Sequence, residues 1–107
     1  GIVKIGVYRP SNGIWYLDID NDGVLEPCGT VGIACFGPFG TATDIPVVGD
    51  WTGDGRTKIG YVRRNTTLNN LQWFLDRNHN GVWQGCSVDL CRGPFGAATD
   101  TPVAGAW

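Results

Sequence analysis

Acidic side chains recur at alternate positions of one short segment, where they could bind a hard cation. Residues 18–26 read DIDNDGVLE, with carboxylates at the first, third, fifth and ninth positions and glycine at the sixth. Alternate side chains of such a loop, together with the carbonyl of the seventh residue, can converge on one calcium ion. The alternative is a solvated turn in which Asp and Asn side chains accept hydrogen bonds from backbone amides. Closely spaced acids repel one another without a cation, so the pattern favours a calcium site. Its ligands would be Asp18, Asp20, Asp22, Val24 and Glu26.

A second segment repeats this spacing with fewer charges. Residues 76–84 read DRNHNGVWQ, so Asp76 keeps the first position while Asn78 and Asn80 stand where the first segment has carboxylates. Affinity for calcium rises with the number of charged ligands. We therefore expect a structural turn with Asx hydrogen bonds, and weaker calcium binding at Asp76, Asn78 and Asn80 is the alternative.

Catalytic chemistry is not indicated. His79 is the only imidazole and sits in a polar turn, and no carboxylate adjoins an apolar run that would raise its pKa. Neither a nucleophilic triad nor an acid–base pair can be assembled from these residues. We predict that the chain is not an enzyme.

Charge and hydropathy narrow the range of partners. The net charge is −2, and the eight Lys and Arg residues are scattered along the chain, so no basic surface is expected for nucleic acid or an acidic membrane. The longest uncharged run is shorter than a bilayer span, so membrane insertion is not expected either. With 17 glycines and six prolines, the composition favours short strands joined by tight turns.

The strands that position these loops belong to two tandem copies of one sequence repeat. Lys4-Ile5-Gly6 recurs as Lys58-Ile59-Gly60, the WYLD that starts at residue 15 recurs as WFLD, and GPFG occurs in both halves. Each copy contains four strand-like runs bounded by turn residues, and in the first copy these are residues 4–9, 13–19, 35–39 and 46–51. Four strands in about 54 residues is typical of a β-propeller blade. The sequence predicts an all-β chain with two four-stranded antiparallel blades, in repeats 1–55 and 56–107.

Residues 46–60 read PVVGDWTGDGRTKIG, and residues 6–9 supply the continuation GVYR. This pattern resembles the FG-GAP/VCBS repeat family over nearly the whole chain. The resemblance implies an extracellular β-propeller, often calcium-bearing, of the kind found in adhesion and surface proteins. It also implies that the loop with Asp50 and Asp54 is a calcium position, but Lys58 stands where a further carboxylate is expected. We expect Asp50, Asp54 and Lys58 to form an internal charge cluster, with a plain exposed turn as the alternative.

The four cysteines fall at equivalent places in the two copies. Cys28 and Cys35 lie in the first copy, and Cys86 and Cys91 lie in the second. This symmetry favours one disulfide within each repeat and therefore a secreted or cell-surface location. Zinc is the alternative, although these spacings differ from the usual zinc motifs.

Repeated aromatic residues suggest packing between blades. Trp15 matches Trp73, and Trp51 matches Trp107, whereas Trp83 has Leu25 as its counterpart. We therefore consider Trp83 for exposed ligand binding. Residues 65–67 read NTT, so Asn65 is a candidate glycosylation site where the producing cell glycosylates.

Two blades are too few to close a propeller. We expect a calcium-supported structural or adhesion module that self-assembles by blade-to-blade packing into a ring or fibre, or that packs against adjacent repeats of a longer chain. The sequence starts and ends at nearly the same point of the repeat, which suggests that the Trp107 end of one copy is continued by the Gly1 end of another copy. A carbohydrate-binding lectin with aromatic sites between blades is the alternative, so glycans or surface proteins are further candidate partners.

Overall fold

The computed structural model describes residues 2–106, and within that range it contains strands, turns and loops but no helix. The described chain accordingly has no helix that could cross a membrane. The expected all-β class is confirmed. The seven strands are β1 (Gly6–Arg9), β2 (Ile14–Asp18), β3 (Ile33–Phe36), β4 (Ile45–Gly49), β5 (Lys58–Asn65), β6 (Asn70–Leu75) and β7 (Leu90–Arg92).

The strands form two antiparallel sheets. The first sheet has the order β1-β2-β3, and the second has the order β4-β5-β6-β7. By sequence β4 belongs to the first repeat, yet it pairs with β5 of the second repeat, with Val47 opposite Gly60. The chain leaves the first sheet after β3 and crosses to the edge of its neighbour. The expectation of four strands therefore holds only for the second sheet, and the boundary between the sheets lies ahead of the repeat boundary at residue 55.

Tight turns connect the hairpin strands. Between β1 and β2, the carbonyl of Arg9 accepts hydrogen bonds from the amides of Asn12 at 3.3 Å and Gly13 at 2.9 Å. Gly13 has φ +72°, and a Cβ there would lie 2.9 Å from the carbonyl oxygen of Gly40. Only glycine fits this position without strain. The β1–β2 hairpin is thereby fitted closely against the loop that follows β3.

The main core lies between the two sheets. Trp15 of β2 and Phe39 of the loop after β3 are buried against Ile59 and Tyr61 of β5. Four half-buried aromatic residues complete the cluster, namely Tyr8, Phe36, Phe74 and Trp83. Burial of this apolar surface holds one sheet on the other.

A second apolar cluster lies on the opposite face of the second sheet. Its buried members are Val47, Val62, Leu71 and Leu75, with Trp51 and Trp73 packed beside them. The register places Val62 opposite Trp73, so both side chains lie on one face of the sheet, and alternation places Tyr61 on the face that meets the first sheet. Among residues 2–106, no further sheet covers the Val62 face.

Candidate functional sites

The acidic loop begins where β2 ends. Asp18 is buried, and its Oδ2 accepts a hydrogen bond from the amide of Gly23 at 2.7 Å. The amide of Asp22 donates to Asp20 at 3.3 Å, and the amide of Val24 donates to Asp22 at 2.9 Å. One carboxylate oxygen from each of the three aspartates lies within 4.8 Å of the others. Backbone hydrogen bonds thus hold three acidic groups together in the way a cation site requires.

The carboxyl groups of this loop influence one another's protonation. The Gly23 amide lowers the pKa of Asp18, whereas the adjacent Asp18 carboxyl raises the pKa of Asp20. Burial, followed by the neighbouring Asp22, raises the pKa of Glu26. Glu26 is close to the three aspartates but lies outside their 4.8 Å group. A bound cation would favour the charged carboxylates and so lower the raised pKa values of Asp20 and Glu26.

Two further features of this loop bear on cation binding. The Oδ1 atom of buried Asp18 has no hydrogen-bond partner. Gly32, which sequence reasoning missed, has φ +98°, and a Cβ there would lie 2.1 Å from Asp20 Oδ2. Its carbonyl also accepts hydrogen bonds from the amides of Ile19 and Asp20. A glycine far from the acidic motif therefore helps to position Asp20.

The corresponding loop of the second repeat is held by side-chain hydrogen bonds. Asp76 is fully buried and accepts from the amide of Gly81 at 2.8 Å, and burial raises the pKa of Asp76. The side-chain Nδ2 groups of Asn78 and Asn80 both donate to Gln84 Oε1, at 2.8 and 2.6 Å. An Asx-type hydrogen bond is also present, from the Val82 amide to Asn80 Oδ1 at 3.0 Å. The Oδ1 of Asp76 has no hydrogen-bond partner.

Asp89 contributes to the same loop and was not found from the sequence. It is fully buried, and its two oxygens accept hydrogen bonds from the amides of Arg77 at 3.0 Å and Gln84 at 2.9 Å. Its counterpart in the first repeat is Ile33. The sequence does show that an acid replaces an apolar strand residue at this position. Only the fold shows which backbone amides donate to Asp89.

The charge cluster of the third loop comes together as expected. Lys58 Nζ is buried and lies 3.1 Å from Asp50 Oδ1 and 2.6 Å from Asp54 Oδ1. It also donates to the carbonyl of Arg56 at 2.8 Å. The Gly55 amide, with Lys58 and further amides, lowers the pKa of Asp50. Burial opposes the charge of Lys58, but the hydrogen bonds to the aspartates outweigh it and raise its pKa. The ammonium occupies the position between the carboxylates that a cation would take.

Both cysteine pairs form the expected bonds. Cys28 and Cys35 are joined with Cα atoms 5.8 Å apart, and Cys86 and Cys91 are joined with Cα atoms 5.3 Å apart. No cysteine is free. Two disulfides in a small β domain fit an extracellular location.

Trp83 is not the exposed residue that the sequence suggested. Its ring centroid lies 5.3 Å from that of Phe74, 6.2 Å from that of Tyr61 and 6.3 Å from that of Phe39. Unlike its counterpart Leu25, which is exposed, Trp83 has another sheet to pack against. It therefore contributes to the core between the sheets instead of an open stacking surface.

Asn65 and His79 lie in turns. Asn65 ends β5, and its Oδ1 accepts a hydrogen bond from the amide of Leu68 at 3.0 Å. His79 has φ +60°, and its ring lies 5.1 Å from that of Phe36. Trp107 and Gly1 lie outside the described residues, so the expected junction between chain ends is not described.

Two equivalent phenylalanines sit in opposite environments. Trp15 Nε1 donates to the carbonyl of Phe39 at 2.9 Å, and Trp73 Nε1 donates to the carbonyl of Phe95 at 3.1 Å. The two residues are therefore held alike. Phe39 is 1% exposed between the sheets, whereas Phe95 is 76% exposed. Phe95, Trp73, Arg92 and Val103 line a cavity of about 520 Å³ on the second sheet, which we call the Phe95 face.

On the first sheet, residues equivalent to those that contact Phe39 are exposed. Ile59 and Tyr61, which receive Phe39, are 2% and 5% exposed, while their counterparts Ile5 and Val7 are 67% and 49% exposed. Ile5 and Val7 line a concave surface, and the remainder of its lining includes Tyr16, Leu25 and Ile33. We call this surface the Ile5 face. The chain thus leaves exposed a counterpart of each side of its internal interface: Phe95 on the second sheet, and Ile5 with Val7 on the first.

Comparison with protein-family models, curated proteins and solved structures finds no match for this chain.

Proposed function

We propose that this chain is an extracellular structural or adhesion module that self-assembles by packing the Phe95 face of one copy on the Ile5 face of another. The observation that carries the proposal is the exposure of Phe95. Its main chain is held by the same type of hydrogen bond as that of buried Phe39. The internal interface supplies the geometry of the contact, in which Phe39 meets Ile59 and Tyr61.

The two open faces differ from each other, so the contact is heterologous. One copy can use its Phe95 face while its Ile5 face remains open to a third copy. Such head-to-tail contacts close into a ring or continue as a fibre, depending on the rotation between subunits. This behaviour agrees with the resemblance to propeller repeats, in which successive blades pack face to face.

Exposure of the two faces supplies the driving force for assembly. Phe95, Val103, Ile5 and Val7 are all substantially exposed in the single chain. Complete burial of a side chain such as Phe95 contributes about 1.5–3 kcal/mol relative to an exposed one. Several such residues on each face can offset the loss of translational freedom on association.

Calcium would support the module at the acidic loop. Asp18, Asp20 and Asp22 supply three carboxylates at the start of this loop. The loop also contributes Gly23, Val24 and Leu25 to the lining of the Ile5 face. A cation would therefore order one of the two contact surfaces as well as neutralise the aspartates.

Sedimentation velocity with calcium, at about 1–100 µM protein, tests this proposal. The native chain should sediment as a species of at least two chains, and Phe95→Ser should sediment as a monomer. Val31→Ser is the matched control because Val31 is 93% exposed and lines neither face. A native chain that stays monomeric throughout this range would refute the proposal.

A further inference from the structure

The first sheet and the end of the second repeat contain complementary unpaired backbone. β1 pairs with β2 on one side, and no strand among residues 2–106 pairs with its other edge. Residues 101–105 read TPVAG and form no strand, although they are equivalent to IPVVG of β4. In the second sheet, β4 occupies the edge of β5 that corresponds to the open edge of β1.

The exposure of equivalent residues follows this difference in pairing. Val47 in β4 is 8% exposed, and its counterpart Val103 is 68% exposed. Lys58 in β5 lies opposite Gly49 and is 2% exposed, whereas its counterpart Lys4 in the first repeat is exposed. Residues that are buried where the strand pair exists are thus open where it is missing.

The edge of the second sheet at which β4 pairs with β5 also contains an ion pair, and the counterparts of its two residues are present elsewhere in the chain without being paired to each other. Arg63 of β5 donates from Nε and Nη2 to the carboxylate of Asp44, at 3.0 and 2.9 Å. The counterparts are Arg9 and Asp100. The guanidinium carbon of Arg9 lies 4.6 Å from the ring centre of Tyr16, much as that of Arg63 lies 5.4 Å from the ring centre of Phe74.

Asp100 lies in a turn of the second repeat that is equivalent to the turn of Asp44 in the first repeat. The Ala97 amide donates to Asp100 at 2.8 Å, and the Thr41 amide donates to Asp44 at 2.8 Å. Each carboxylate therefore already has the orientation used at the complete edge. Within residues 2–106, the Asp44 carboxylate is paired with Arg63, whereas the Asp100 carboxylate has no arginine and Arg64 reaches only the Asp100 main-chain carbonyl, at 2.8 Å.

We infer that residues 101–105 of a second copy pair antiparallel with β1 and form the fourth strand of the first sheet. This inference rests on the proposed self-assembly and names the backbone that performs it. The β4–β5 register, in which Val47 faces Gly60 and Gly49 faces Lys58, places Val103 opposite Gly6 and Gly105 opposite Lys4. Asp100 of the second copy then meets Arg9.

Hydrogen-bond directions agree with this register. The carbonyl of Ile5 accepts from the amide of Asp18 on β2, so alternation turns the backbone groups of Gly6 and Tyr8 towards the open edge. Val103, opposite Gly6, would turn its amide towards β1. Ala104 would turn its amide away from β1. Pro102, which has no amide hydrogen, would occupy the other outward-facing position, where a proline is tolerated in an edge strand.

A pair of proline variants tests the strand contact. Val103→Pro removes an amide that would pair with β1, whereas Ala104→Pro removes one that would face away. Because the Val103 side chain lines the Phe95 face, Val103→Ala, which keeps the amide, is the control for loss of that side chain. Both residues lie in an exposed segment that forms no strand, so neither change disturbs a sheet of the single chain. Val103→Pro should weaken self-association at least about tenfold relative to Val103→Ala in sedimentation equilibrium, and Ala104→Pro should weaken it by less than about threefold relative to the native chain.

A charge exchange tests the register independently. Arg9→Asp and Asp100→Arg should each weaken association, and the double variant should restore it because the opposite charges then meet again. Failure of the double variant to recover association would overturn the register.

The outcomes separate the two proposals. If Phe95→Ser dissociates the assembly but Val103→Pro leaves it as strong as Val103→Ala does, the strand contact is wrong while face packing stands. If the native chain does not associate at all, the proposed function fails and the strand contact fails with it.

Discussion

Arg63 and Asp44 form a two-point ion pair across the edge of the second sheet, with Arg63 Nε and Nη2 lying 3.0 and 2.9 Å from the two carboxylate oxygens. Asp44 also accepts from the amide and hydroxyl groups of Thr41. Burial alone would raise the pKa of Asp44, but the hydrogen bonds from Arg63 and Thr41 outweigh it and lower that pKa. The pair fastens β5 to the loop that leads into β4.

This ion pair predicts a specific dependence of stability on pH. A carboxyl with a lowered folded-state pKa stabilises the fold above its unfolded pKa of about 3.9, and this contribution is lost as pH falls through the folded value. Asp44→Asn should lower the free energy of unfolding by about 1–2 kcal/mol at pH 7, since Arg63 is partly exposed. The difference from the native chain should shrink below pH 4.

Urea unfolding between pH 7 and pH 2 measures this effect. Asp100→Asn is the matched control because the Asp100 carboxylate makes the equivalent turn contact with a backbone amide but has no arginine partner among residues 2–106. The measurement is made at a concentration where the chain is monomeric. An equal loss of stability in the two variants, or a difference that grows on acidification, would contradict the assignment.

The two phenylalanines predict opposite kinds of defect. Phe39→Ala should cost about 3–5 kcal/mol of monomer stability, because it opens a cavity between the sheets. Phe95→Ala should change monomer stability by less than about 0.5 kcal/mol, because that ring is exposed in the single chain. Chemical denaturation at low protein concentration distinguishes them, and similar losses for both variants would mean that Phe95 packs within its own chain.

Calcium binding is predicted to favour the first loop. Asp20→Asn should weaken binding measured by calorimetry, because it removes one of three grouped carboxylates. Asn78→Ala in the second loop is the control and should leave the main binding heat unchanged. No heat with the native chain, or an equal reduction in both variants, would rule out the first loop as the calcium site.

The disulfides predict resistance to thiol labelling. Denatured but unreduced protein should contain no reactive thiol, since all four cysteines are paired. Reduction should destabilise the fold by roughly 2 kcal/mol per bond on the chain-entropy model. Peptide mapping that found a link from Cys28 to Cys86 would contradict the pairing.

Composition and the repeat pattern were sufficient to predict the all-β class and the cysteine pairing, whereas the grouping of Lys58 with Asp50 and Asp54 was expected from the resemblance to FG-GAP/VCBS repeats, with an exposed turn as the alternative. These features depend on residues close together in the chain or on symmetry between the copies. The exchange of β4 between sheets was not predicted, because pairing partners depend on where the chain crosses after β3. The sequence alone could not show which edge a strand joins.

The acidic loop was predicted only in part. Alternation along the chain brings Asp18, Asp20 and Asp22 together, but the contribution of Gly32 depends on contact between distant segments. Trp83 was misjudged because its environment is determined by the neighbouring sheet and not by its own repeat. Similarly, Phe39 and Phe95 are equivalent in sequence, and only the fold gives them different surroundings.

Mixing two variants, each with one intact face, tests head-to-tail assembly. Ile5→Ser keeps an intact Phe95 face, and Phe95→Ser keeps an intact Ile5 face, so each variant alone should be monomeric in native mass spectrometry. An equimolar mixture should form a heterodimer of one chain of each kind and nothing larger, because a single intact pair of faces remains. A mixture that stays monomeric, or single variants that assemble as the native chain does, would contradict the account.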